Sequence, residues 1–250
     1  MRLLLALLAL VLLGGARDPI LVPEVSQHEV QVRQGFTGAE LLLFGAILSP
    51  EGTRAAQDYD IVVVLKGPTS AVVLREKRKI AGMWINAAST ELHSVPSYFA
   101  MASTRPIARI VDGRTAAIYE LGLPWLQLSP TGAIDPKAMA RFNAGLVDLR
   151  RRNGLYGQDE AGVKVSEQVL YQARITLPSS VQTGRYTAET FAISRGRVVA
   201  TAISEIAVRK LGFEGAIASF AETWSLLYGL LAVAIAVAMG WLAGRVFALV

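Results

Sequence analysis

Apolar residues are distributed along the chain in three ways. Leu3–Leu13 is an unbroken apolar run of eleven residues behind Met1-Arg2. Leu226–Gly244 is a second run, nineteen residues without a charge. Between them apolar positions recur every second residue over long stretches, and every third or fourth in one place. At 1.5 Å per residue the first run spans about 16 Å, half a hydrocarbon core, and the second nearly 30 Å, all of it. The first therefore predicts a signal peptide over residues 1–16, with small residues Gly14 and Ala16 at the cleavage position. The second predicts a transmembrane helix over 225–248. Trp224, Tyr228 and Trp241 are placed for the headgroup layer, and Arg245 can snorkel to the far surface.

The period of two predicts strands. Gln27–Arg33 alternates, with His28, Val30 and Val32 on its apolar side. Ala39–Leu48 and Ile61–Leu65 are longer apolar runs, and the turn Lys66-Gly67-Pro68 closes the second. Val72–Arg75, Met83–Ile85 and Tyr98–Ala102 are weaker strands. Val169, Tyr171, Ala173, Ile175 and Leu177 alternate with Leu170, Gln172, Arg174 and Thr176. Thr183-Gly184-Arg185-Tyr186 then opens a strand to Ser194, Arg195-Gly196 turns it, and Val198–Val208 returns.

One helix interrupts this pattern, at about 135–153. Asp135-Pro136 supplies an N-cap and a first-turn proline. Met139, Phe142, Leu146 and Leu149 form a stripe, Arg150–Arg152 complement the dipole of the last turn, and Gly154 is placed to end it. A strand bounded by proline, then Gly-x-Tyr, then a hairpin suits the last three strands of an immunoglobulin-like sandwich, with Tyr186 as its tyrosine corner. The expected fold is mainly β. It is an immunoglobulin-like sandwich over 17–210 with an inserted helix, a juxtamembrane amphipathic segment over 211–224 (Phe213, Ile217, Phe220, Trp224), and one C-terminal transmembrane helix. Two small sandwiches joined by the helix are the alternative.

Composition narrows the chemistry. Hydrophobic residues are 52% of the 250 and charged residues 18%, too apolar for an ordinary soluble domain. Cysteine is absent, which removes disulfides, thiolate–metal sites, thiol catalysis and a lipidated cysteine anchor. The formal charge of +5 is dispersed. The clusters Arg75–Lys79 and Arg150–Arg152 suit solvated turns or helix ends, so nucleic acid is not an expected partner. His28 and His93 are the only histidines. Neither a nucleophile elbow nor a phosphate loop occurs, and Asp58 with Asp60, like Asp159-Glu160, suits turns better than acid–base pairs. No catalytic, cofactor or metal residue is assigned, and the protein is expected not to be an enzyme.

Several motifs together are specific where no one of them is. They are Ser26-Gln27-His28, Gly35-Phe36-Thr37-Gly38 through Leu43-Phe44-Gly45, Ala81-Gly82-Met83-Trp84-Ile85-Asn86, Val95-Pro96-Ser97-Tyr98-Phe99 with Ala102-Ser103-Thr104-Arg105-Pro106, and Gly154-Leu155-Tyr156. In the last segment they are Leu227-Tyr228-Gly229-Leu230-Leu231-Ala232 and Gly240-Trp241-Leu242-Ala243-Gly244-Arg245. With them the chain resembles the family of alphaproteobacterial putative transmembrane proteins, from signal peptide to final span. The resemblance implies association with permeases of the sulfite-exporter type and an accessory role. It identifies no catalytic residue.

Two candidate contact surfaces remain. Ala232, Ala236, Gly240 and Gly244 recur every four residues, so they share a helix face on which a partner helix, or a second copy, could pack closely in the bilayer. Tyr98 and Phe99 with Arg105 combine aromatic surface and a forked cation, the composition of an interface anchor or an oxyanion site. The expected protein is a single-pass, inner-membrane, non-enzymatic accessory. Its N-terminal domain is periplasmic, its C-terminus short and cytoplasmic, and its partners are the lipid bilayer and a permease. The alternative is a periplasmic small-ligand or oxyanion-binding, sensor-like module.

Overall fold

The computed structural model describes residues 19–33, 35–48, 59–167, 169–210, 217 and 220–247. The expected signal peptide lies outside the described residues, as does most of the segment before the span.

Alternating side chains sort the strands into two facing sheets. One has the order β1 (Ile20–Val25), β3 (Gly38–Leu48), β11 (Leu170–Pro178), β10 (Val163–Ser166). The other runs β2 (Glu29–Val32), β13 (Arg197–Lys210), β12 (Gly184–Ser194), β4 (Asp60–Lys66), β7 (Phe99–Ser103), β9 (Tyr156–Asp159). The first strand pairs antiparallel in one sheet, after which the chain crosses and β2 pairs parallel with β13 in the other. This crossing, with hairpin-linked β12 and β13 beside β4, is the immunoglobulin-like arrangement. A single core cluster spans both sheets.

Burial follows the period of two where one face meets water. In β11, Tyr171, Ala173, Ile175 and Leu177 are buried while Leu170, Arg174 and Thr176 are exposed. Strand β4 departs from alternation: all five residues from Ile61 to Leu65 are fully buried. Its other face is covered by the segment after β7, which holds α1 (Ile107–Ile110), α2 (Gly113–Ile118) and a 3-10 turn at Leu123–Trp125. Ile110, Ala116 and Leu121 join the core there, and Tyr119 meets Phe191 of β12 edge-on at 5.6 Å. Tyr186 Oη donates to the carbonyl of Gln182 at 2.8 Å, which is the tyrosine corner.

The helix, α3 (Pro136–Arg152), ends as its sequence directs. Asp135 accepts from the Ala138 amide at 3.1 Å. Gly154, at φ +70°, and Leu155 return hydrogen bonds to Arg151 and Arg150, a Schellman cap. Phe142 and Leu146 are buried, but Leu149, expected on the docked stripe, is 53% exposed.

The largest departure lies between β4 and β7. The weak strands there are one long hairpin arm, β5 (Thr69–Ile80) and β6 (Met83–Pro96), joined at Ala81-Gly82. A two-residue strand, β8 (Ser129–Pro130), adds to its base. The basic cluster Arg75–Lys79 therefore lies along a strand, not in a turn or helix end. At the C-terminus, α4 (Ser225–Phe247) is long and apolar enough to cross a membrane.

Candidate functional site

The expected recognition surface dissolves when its residues are placed. Tyr98 is 3% exposed and Phe99 fully buried, so both belong to the core. Strand alternation does not apply here, because β7 is covered on both faces and all five of its residues are buried. Tyr98 Oη donates to the carbonyl of Thr176 in the facing sheet at 2.9 Å, and burial pushes its phenol pKa well up. Its ring lies 5.9 Å from that of Tyr186. Arg105 is exposed but occupied. Its Nε donates to Asp60 Oδ1 at 2.6 Å and its Nη2 to Oδ2, a forked pair that Thr104 Oγ1 joins at 3.1 Å. Asp60 thus holds the start of β4 to the end of β7, and its carboxylate occupies the Nε–Nη2 edge of the guanidinium and offsets its charge.

Other polar clusters are also committed to the fold. Lys66 Nζ lies 2.8 Å from Glu120 and 3.2 Å from Glu189. Burial works against its charge, but the two carboxylates prevail and raise its pKa. Glu120 is left-handed at φ +51°, and its other oxygen accepts the Gln127 amide at 3.0 Å. This network clamps the covering segment to the sheet. Asp159 closes its own turn, accepting from the Ala161 amide at 3.0 Å.

The histidines stand apart. His28, expected on the buried side of its strand, precedes β2 and has a side chain 69% exposed, 3.2 Å from Glu24. Only Val30 of that alternation is deeply buried. His93 Nε2 lies 3.0 Å from Thr131 Oγ1 beside β8. Among the described residues, no three His, Asp or Glu side chains converge as a metal site.

Two surface features remain. A groove of about 870 Å³ runs between α3 and the 123–128 segment, lined by Leu126, Asn143, Val147, Asp148, Arg151 and Glu160. Two carboxylates face one guanidinium there, which disfavours an anionic ligand. The second is the tip of the arm, where Ile80, Met83, Trp84 and Ile85 are 43–68% exposed. Sequence reasoning passed over this tip. Its signal was Ala81-Gly82 between strand-like residues, in a stretch from Lys77 to Thr90 with three cations and no acid.

In α4 the small residues Ala232, Ala236, Gly240 and Gly244 share one face by their spacing, and a side chain built at Gly240 or Gly244 meets nothing within 4 Å among the described residues. Arg245 lies over the Trp241 ring at 5.9 Å. Helical hydrogen bonds run from Phe220 through Trp224 to Tyr228, so Phe220 and Trp224 of the preceding stripe join the span. Comparison with curated proteins finds no match. A family model described as "Putative transmembrane protein (Alph_Pro_TM)" matches residues 20–248, both the sandwich and the apolar helix. The chain belongs to this transmembrane protein family.

Proposed function

We propose that the protein is a membrane-tethered, non-enzymatic accessory subunit, with its sandwich in the periplasm and α4 packed against an inner-membrane permease. The observation that carries this reading is the division of labour along the chain. The polar clusters of the sandwich hold the fold together, whereas the face of α4 bearing Ala232, Ala236, Gly240 and Gly244 is open to another helix. Small residues let backbones approach, and such packing is a main source of attraction between helices in lipid. The leader-like Leu3–Leu13 run supports export of the sandwich, and Arg245 on the inner side agrees with the distribution of positive charge. The sulfite-exporter type of permease is the partner that the family resemblance suggests. The test is purification of the tagged full chain in mild detergent. A polytopic permease is expected in stoichiometric amount; a chain that purifies alone from several detergents and lipid nanodiscs removes the reading.

The groove beside α3 favours a second reading, a small-ligand module. Its mixed lining suits a neutral or zwitterionic ligand better than an oxyanion. Calorimetry with sulfite, sulfate and organosulfonates is expected to show no heat of binding.

A further inference from the structure

We infer that the tip of the β5–β6 arm is a lipid-inserting wedge, which seats in the headgroup layer of an anionic membrane, the one in which α4 is anchored. The arm is far longer than it needs to be for the sandwich. Its strands have 12 and 14 residues, and only the base is supported. Leu74 and Leu92 reach the core, α3 flanks Leu74–Glu76, and β8 pairs with Leu92 and His93. Every residue from Lys77 to Ala87 is exposed. A two-stranded ribbon alone in water is marginally stable, so a bare one carrying four large apolar residues implies a surface that covers it.

The placement of those residues identifies the surface. Ala81 and Gly82, at φ +49° and +85°, form the tight turn. Ile80 pairs with Met83 and Arg78 with Ile85, on one face of the ribbon; Lys79 pairs with Trp84 and Lys77 with Asn86, on the other. The tip is therefore apolar on both faces, with cations on both faces just behind. A protein groove would cover one face and leave the other wet. Lipid surrounds an inserted tip on all sides. From Met83 to Asn86 is about 10 Å at 3.3 Å per residue, close to the depth to which interfacial elements bury. Trp84 suits the headgroup level, and Lys77, Arg78 and Lys79 suit its phosphates. Neither Lys77 nor Lys79 has an ion-pair partner among the described residues.

Topology brings the arm to the correct end of the sandwich. Strand β4 lies antiparallel to β12, and so does β13, so β4 and β13 run the same way. The chain leaves β4 into the arm at Gly67-Pro68, and Pro68 lies against Gly184, whose partner across the ladder is Val208. Lys210 ends β13 two residues later, and fourteen residues, 211–224, separate it from α4. The root of the arm and the exit toward the membrane are thus neighbours. The inference needs only the membrane anchor, not a permease.

Absence of cysteine makes the test direct. Full-length Met83→Cys, Asn86→Cys and Lys164→Cys proteins carry a nitroxide and are reconstituted in two kinds of vesicle. One is phosphatidylglycerol with phosphatidylethanolamine, the other phosphatidylcholine alone. Oxygen against nickel-chelate accessibility reads depth. In the anionic vesicles position 83 is expected below the phosphates, position 86 shallower, and Lys164, exposed on β10, in water. Changing Lys77, Arg78 and Lys79 to glutamine lowers the immersed-to-aqueous ratio by roughly tenfold or more. Labels at 83 and 86 that stay aqueous in both lipids overturn the inference, as does equal immersion in phosphatidylcholine with no effect of the three glutamines. A tip that is aqueous in lipid but crosslinks to one protein in cells also overturns it, and makes the arm a protein contact.

Discussion

At the residue scale, tyrosines tie the two sheets and the insertion together. Tyr186 is fully buried, with its hydroxyl on the Gln182 carbonyl. Tyr186→Phe is expected to lose about 1 kcal/mol in chemical denaturation, the net value of one buried hydrogen bond. Unchanged stability would mean the bond is not maintained in solution. Tyr156 Oη donates to the Pro96 carbonyl at 2.7 Å, and burial pushes its pKa up to about 12. The folded state therefore keeps this proton when the unfolded chain has lost it. The contribution is fully present below the ordinary value near 10 and is lost as pH rises from about 10 to 12. Tyr156 alone then forfeits about 2–3 kcal/mol by pH 12. Burial raises Tyr98, Tyr171 and Tyr186 in the same direction. Urea titrations between pH 9 and 12 will show a falling midpoint, with a shallower fall for Tyr156→Phe. A flat profile would mean these phenols reach water.

At the element scale, α3 and α4 contrast. The stop and start signals of α3 lie within six residues of its ends, so Asp135, Pro136 and Gly154 marked it without tertiary information. Which part of its stripe is buried was decided by the elements it packs against, and Leu149, at the edge of the groove beside Leu74–Glu76, stays 53% exposed. From Ser225 to Arg245 the side chains of α4 face outward, so their pattern has meaning only against lipid or another helix. Gly240→Leu with Gly244→Leu keeps the segment apolar and adds bulk where nothing now lies within 4 Å. The doubly substituted protein is expected to reach the membrane at normal level and to lose the proposed permease on purification. Ile235 and Leu242 substitutions, off that face, are expected to leave association unchanged. Equal association of both pairs would make the small-residue spacing an accident of composition.

At the scale of the whole molecule, the sandwich and the span need opposite solvents, and fourteen residues separate β13 from α4. With α4 across a membrane, its two ends lie on opposite sides and the sandwich wholly on one. A periplasm-dependent reporter is expected to be active after Lys210 and silent after Val250; a cytoplasm-dependent reporter will do the reverse. The opposite pattern would put the sandwich inside the cell and remove both the leader and the periplasmic accessory model. The lipid wedge would survive that result, since either leaflet can present anionic headgroups.

What the sequence determined by itself was local. Caps and period located α3, alternation marked β11, Gly-x-Tyr placed Tyr186, and nineteen uncharged residues defined the span. Each of these depends on neighbours along the chain or on a bulk solvent, so spacing is enough. Only the tertiary structure decided which faces are covered. Tyr98, Phe99 and Arg105 have the composition of an interface. Yet β7 is buried on both sides, and Asp60, forty-five residues earlier, takes the guanidinium. Ile80, Met83, Trp84 and Ile85 have the composition of a core, yet the arm leaves the sandwich and nothing among the described residues covers them. Burial is set by pairing between distant strands, and residue identity alone carries no record of which strand arrives.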